Sequence, residues 1–169
     1  TMPSLADAIQ AGGIFHHVAA TDKESALKSA VEVMRLPPDV DRQYLLQVLI
    51  ARESLGSTGI GDGIAIPHVR NPIVLAVHQP TVSLCFLERP VEFGALDGQP
   101  VHTLFTLISP TVRAHLYILS RLAFALRGSR FKEAVAGQYP REAILAAARE
   151  AEQGVGVTPG VSKSGGHPP

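Results

Sequence analysis

The chain has 169 residues, 15 Lys and Arg against 15 Asp and Glu, and is 46% hydrophobic. That size and apolar fraction fit one ordinary globular domain with a real core, and the balanced charge argues against a broad nucleic-acid surface or a polyanion mimic. The single Cys85 excludes an internal disulfide framework and suits a reducing, cytoplasmic compartment. No apolar run approaches the roughly 18 residues of a membrane span, and the N-terminus lacks the basic-then-apolar plan of a signal peptide. Direct membrane insertion is therefore not expected, while Thr1 ahead of Met2 leaves room for upstream sequence.

Ser4 is placed to cap a short helix from Leu5 to Gln10, ended by Gly12-Gly13. Ile14 to Val18 has strand character. Its His16-His17 pair invites a metal reading, but neighbours on a strand face opposite ways. No cysteine or third nearby histidine completes a ligand set, so no metal is expected. Thr21 or Asp22 opens a helix through about Arg35, and Glu24, three residues after Thr21, predicts a capping box. Ala26, Leu27, Ala30, Val31 and Met34 form its apolar face. Pro37-Pro38 breaks the chain.

Asp39 or Asp41 starts the next helix, to about Ser54, with Tyr44, Leu45, Val48 and Leu49 as its inner stripe. Arg52 falls on the same stripe. An arginine there either snorkels at the helix C-terminus, where cations are favoured, or offers its planar fork to an oxyanion. Its place just before a glycine-rich loop favours the second. Glu53 either holds Arg52 in place or is solvated.

The loop carries glycines at 56, 59, 61 and 63. It is not a dinucleotide fingerprint, because a strand follows where a helix should begin, and no Lys-Ser/Thr pair makes it a P-loop. Ile64-Ala65-Ile66 reads as a short buried strand, halted by Pro67, so that His68 is presented at a stiffened edge beside backbone amides. The segment Ala51 to His68, ARESLGSTGIGDGIAIPH, closely resembles the active-site segment of the EIIA components of the bacterial phosphoenolpyruvate:sugar phosphotransferase system. The likeness is to the fructose/mannitol class and, within it, to the nitrogen-regulatory branch. It extends more loosely over about residues 4 to 150.

The resemblance implies that His68 accepts a phosphoryl group on Nε2 and that Arg52 is an active-site arginine. Val69-Arg70-Asn71-Pro72 departs from the Gly and Lys that follow the histidine in many family members. Strands are expected at Val74 to Val77, Thr81 to Leu87 and His102 to Ile108, with a turn at Asp97-Gly98. "LERPVEFGALDGQPV" resembles the family's loop between two sheet strands. Cys85, within an apolar run, is expected to be a buried structural thiol. His78 and His102 lack any motif. Thr111 or Ser109 caps a long helix to about Leu126, with Pro110 in its first turn. His115 lies on its apolar stripe with Leu119, Leu122 and Leu126. Such a histidine is ordinarily a satisfied core group, but the resemblance implies a second active-site histidine here. Phe131 to Gly137 and Pro140 to about Gln153 form the last helices. Residues 1–153 are expected to be the EIIA-like domain, and 154–169, with His167, a disordered tail.

Alternating helices and strands with hairpin-like turns argue for a mixed α/β sheet, and the resemblance implies a three-layer sandwich around five strands. A phosphocarrier histidine must be neutral to attack, which an imidazole pKa near about 6.5 allows, and its other nitrogen should donate to an acceptor that fixes the tautomer. His68, His115 and Arg52 are the expected catalytic residues, and Ser57, Thr58 and Glu53 the expected phosphoryl-binding residues. No cofactor is implied. The implied partners are an HPr-type phosphocarrier protein and an EIIB domain or a regulated target protein, without nucleic acid. The alternative is a non-catalytic regulatory module, of the kind found in a transcription regulator, that binds partners at the His68 loop. A hydrolase built on Ser57 with His68 and His115 lacks a nucleophile-elbow motif.

Overall fold

The computed structural model describes residues 2–71 and 77–153. Six helices and five strands follow one another as α1 (Leu5–Gly12), β1 (Ile14–Val18), α2 (Lys23–Val33), α3 (Arg42–Glu53), β2 (Gly59–Gly61), β3 (Ile64–Ala65), β4 (Thr81–Val91), β5 (Val101–Ile108), α4 (Val112–Arg127), α5 (Ser129–Ala136) and α6 (Arg141–Gln153). The strands form one sheet in the order β1-β4-β5-β3-β2. β1 runs parallel to β4 and β3 parallel to β5, while β4/β5 and β2/β3 are antiparallel. The sheet is mixed and five-stranded, as expected.

Period-two alternation on the central strands sorts the core into two sides. Val82, Leu84 and Phe86 of β4 meet α1, α4, α5 and α6 on one face. Cys85 and Leu87 meet Ala26, Leu27 and Ala30 of α2 on the other. Val31 and Met34 continue that second layer onto Leu45 and Leu49 of α3. The result is a three-layer α/β sandwich. Cys85 is fully buried, and burial pushes its thiol up to about 12. At the end of α1, Gly12 lies so close to β4 that a Cβ there would stand 2.2 Å from the Val82 carbonyl oxygen.

Several local expectations are corrected. α1 continues through Gly12 rather than stopping at Gln10. The capping box of α2 is Asp22 with Ser25, not Thr21 with Glu24, because the Ser25 hydroxyl accepts from both the Thr21 and Asp22 amides. Asp41 caps α3. Tyr44 is exposed rather than on the inner stripe. Pro110 precedes the Thr111 cap of α4 and stands outside its first turn. β4 runs on through Pro90 to Val91.

Of the strand expected at Val74 to Val77, residues 74–76 lie outside the described residues, and Val77 itself is buried and not in a strand. The glycine loop supplies a strand that was not expected. Asp62 (φ 57°) and Gly63 (φ 77°) both take positive φ, as a two-residue primed hairpin turn requires, and fold β2 back on β3. The Asp62-Gly63 dipeptide is itself the sequence signal for that turn. The turn at Asp97-Gly98 forms as expected, with Gly98 at φ 73° and its amide donating to the Ala95 carbonyl.

Candidate active site

His68 lies just past the C-terminal end of β3. Pro67 has no amide to donate, but its carbonyl accepts from the Leu107 amide at 2.9 Å, and His68 forms an isolated parallel bridge with Leu107 of β5. The backbone is therefore held on one side by the sheet. The ring is held too, because its Nδ1 lies 2.8 Å from the Ile66 carbonyl oxygen. A carbonyl can only accept, so Nδ1 carries the proton and the lone pair is on Nε2. The side chain is half-buried. Burial is the main influence pushing its pKa below the usual imidazole value, aided by Arg52 and opposed by the Ile66 hydrogen bond and by Glu53.

His115 comes from the first turns of α4, its amide donating to the carbonyl of the cap residue Thr111 at 3.0 Å. Its ring centroid is 5.0 Å from that of His68, with 39° between the planes. Its pKa is also held down, first by burial and then by the neighbouring His68. Two imidazoles at this separation cannot both be charged cheaply, and both shifts favour the neutral rings.

Arg52, in the last turn of α3, donates from a terminal guanidinium nitrogen to the Gly56 carbonyl at 2.7 Å. That bond closes the turn between helix and loop and leaves the rest of the guanidinium fork for other acceptors. Arg52 also edges a cavity of about 430 Å³ floored by Tyr44, Val48, Ala51 and Val69, with Arg70 and Asn71 at its rim.

Glu53 neither pairs with Arg52 nor is solvated. It is 7% exposed, accepts from the Thr58 amide at 3.2 Å and from the Thr58 hydroxyl, and pairs with Lys23 Nζ at 2.9 Å. The Ser57 hydroxyl donates to the Phe93 carbonyl at 2.6 Å and accepts from the Gly59 amide at 3.0 Å. Both hydroxyls thus donate to groups flanking the loop, on α3 and after β4, and Ser57 is not set up as a nucleophile. Lys23 and Phe93 were missed in the sequence, although a lysine at the first position of a helix, where cations are disfavoured, was a readable anomaly.

The other histidines lie elsewhere. His16 donates from Nε2 to the Tyr139 carbonyl at 3.0 Å, and His17 sits at φ 56° in an irregular stretch of β1. His102 pairs with the Thr103 hydroxyl. Among the described residues no group of three or more His, Cys, Asp or Glu is placed to hold a metal, and no helix is long and apolar enough to cross a membrane.

The chain is similar to known proteins. A family model described as "Phosphoenolpyruvate-dependent sugar phosphotransferase system, EIIA 2" matches residues 8–151. The chain is 44% identical over 96 residues to a nitrogen regulatory protein of Pseudomonas aeruginosa, covering 56% of this chain and 60% of that protein. It is 32% identical over 133 residues to the fructose-specific EIIABC component of Bacillus subtilis, covering 76% of this chain and 20% of that one. It therefore spans less than two thirds of the length of either curated relative. Among solved structures it is similar to the nitrogen regulatory protein IIA-Ntr of Neisseria meningitidis, with TM-score 0.73 and 29% identity over 85% of this chain and 98% of that one. The IIA mannitol protein of Escherichia coli shares the fold, with TM-score 0.64 and 22% identity over 82% of this chain and 96% of that one. With the match running along nearly the whole described chain, the protein belongs to the EIIA 2 family of the phosphoenolpyruvate-dependent sugar phosphotransferase system.

Proposed function

We propose that this chain is a cytoplasmic phosphocarrier. Nε2 of His68 takes a phosphoryl group from a phosphorylated HPr-type carrier, then passes it to an EIIB-type domain or holds it as a regulatory signal. The observation that carries this reading is the Nδ1 contact with the Ile66 carbonyl, which leaves an unprotonated Nε2 on a half-buried ring beside His115. In the step itself the Nε2 lone pair attacks phosphorus. An N–P bond forms as the bond from phosphorus to the donor's leaving group breaks, and that electron pair departs with the donor. The proton stays on Nδ1, hydrogen-bonded to the Ile66 carbonyl, so no base is needed for attack.

Charge on the transferring group spreads over its equatorial oxygens, and positioned donors stabilise it. Arg52 and His115 supply those donors. Ser57, Thr58 and Glu53 act through the loop they hold, which sets where Arg52 and the backbone amides stand. Catalysis here is positioning and electrostatics. Similarity to nitrogen regulatory proteins supports the signalling use, and similarity to a fructose-specific component supports onward transfer. A protein of the same fold, IIA mannitol of Escherichia coli, has been solved in complex with phosphorylated enzyme IIB mannitol, which supports an EIIB domain as acceptor.

The test is to incubate the protein and His68→Ala with phosphoenolpyruvate, Enzyme I and HPr, and to read intact mass. The expected result is a gain of one phosphate in the wild type alone. A gain in both forms refutes His68 as the acceptor. A gain in neither refutes the carrier reading and leaves the binding module.

A further inference from the structure

Lys23 makes a connection that the reaction as described does not use. It is the first residue of α2, where the positive end of the helix dipole works against a cation. Its side chain nevertheless crosses to the end of α3 and pairs with Glu53 at 2.9 Å, with side-chain exposures of 29% and 4% for the two residues. On the way the ammonium lies 4.8 Å from the centroid of the Phe93 ring. The Phe93 carbonyl in turn accepts the Ser57 hydroxyl. One lysine thus ties together α2, the end of α3, the glycine loop and the segment after β4.

Two consequences reach His68. First, Glu53 holds the loop through the Thr58 amide and hydroxyl. A carboxylate that is nearly sealed from water keeps its charge and its geometry only with a counter-charge. Second, the Glu53 charge acts on the imidazole, favouring its protonated form, and it would repel an incoming phosphoryl group. Lys23 offsets both effects. The charged groups acting on His68 are Arg52 and Glu53 from α3, and the titratable group facing it is His115 from α4, 5.0 Å away ring to ring. Around Lys23 stand Asp22, Glu24 and Glu92, of which Asp22 is committed to capping α2.

We propose that Lys23 is a positioning residue for phosphoryl transfer at His68, fastening Glu53 to Thr58 in the loop that leads to His68. This rests on the carrier reading above. Lys23 touches no reacting atom and works only through Glu53. The double variant Lys23→Met with Glu53→Gln should therefore behave as Glu53→Gln alone, because a neutral amide needs no counter-charge.

The experiment compares wild type, Lys23→Met, Lys23→Arg, Glu53→Gln and the double variant in two readouts. One is the rate of phosphoryl uptake from phospho-HPr. The other is the pH titration of the His68 ring nitrogens by NMR, which needs no phosphotransfer. Lys23→Met should slow uptake roughly tenfold, the scale of coupling between charged neighbours, and raise the His68 midpoint. Lys23→Arg should restore both, and Lys23→Met should change nothing further on the Glu53→Gln background. A Lys23→Met protein with wild-type uptake and an unmoved His68 midpoint overturns the proposal, as does a further drop in the double variant. Should Lys23→Met not fold, the double variant and Lys23→Arg decide by the same criteria. If the wild type takes up no phosphate yet the His68 midpoint still moves with Lys23, the carrier reading fails and the electrostatic coupling stands. If neither is seen, both fail.

Discussion

Replacing Glu53 with alanine removes the acceptor shared by Lys23 Nζ at 2.9 Å, the Thr58 amide at 3.2 Å and the Thr58 hydroxyl. The three donors do not suffer equally. The Lys23 side chain keeps 29% exposure and can turn its ammonium to water, so its loss falls toward the low value of solvent-screened pairs, about 0–1 kcal/mol. Thr58 is 5% exposed and cannot turn out. A buried donor left unpaired costs about 1–3 kcal/mol, and Thr58 has two, one of which, the hydroxyl, can rotate to another acceptor. We expect Glu53→Ala to lose about 3 kcal/mol, a large part of a typical stability of about 5–15 kcal/mol. Glu53→Gln keeps one acceptor oxygen for Thr58 and should lose about 1 kcal/mol. Urea unfolding followed by far-UV circular dichroism is the assay. With a slope of about 2 kcal/mol/M, the alanine variant should unfold about 1.5 M earlier than wild type. A midpoint within about 0.3 M of wild type would show that this carboxylate does not hold the loop. A Glu53→Gln loss as large as the alanine loss would place the energy in the Lys23 pair rather than in Thr58.

Four further outcomes are expected. Because burial holds the His68 pKa below its ordinary 6.5, uptake of phosphate should rise with pH through a midpoint below that value and stay flat above it. Both His68 and His115 have depressed folded-state values, so stability is full above the unfolded imidazole pKa. It is lost as pH falls from there through the folded values, which urea titrations across that window would check. Gly12→Ala puts a methyl 2.2 Å from the Val82 carbonyl oxygen and 2.4 Å from its carbon. Backbone must move, at a cost of about 1–3 kcal/mol, and the thermal midpoint should fall by roughly 2–12 °C. An unchanged midpoint would mean that α1 shifts freely on β4. Cys85, with its thiol pushed up to about 12 by burial, should resist iodoacetamide in the native protein and react after unfolding. Rapid native alkylation would contradict the sealed face between β4 and α2.

The local pattern of this chain already determined most of its element types, most caps and the placement of His68 just past the end of a strand. Ser4, Asp41 and Thr111 cap the helices they precede because a short polar side chain reaches only the amides two or three residues on. That bond needs no other part of the fold. Pro67 after three apolar residues stiffens the approach to His68 by covalent geometry alone. The close likeness to EIIA segments did the rest, pointing to Arg52 and His115, which periodicity alone would leave as a snorkelling cation and a core histidine. What lay beyond reach was every contact set by the order of strands. The 5.0 Å between His68 and His115 depends on α4 packing across β3 and β5. The fifth strand came from the glycine loop because Asp62-Gly63 could fold Gly59–Gly61 back onto β3. The same packing decided Glu53. Its sequence neighbours allow it to pair with Arg52 or to face water, and only the tertiary structure brings Lys23, thirty residues away, against it. Residues so far apart carry no local signal of meeting, since neither capping, periodicity nor turn chemistry acts over that span, and sheet topology alone sets which helix ends share a corner.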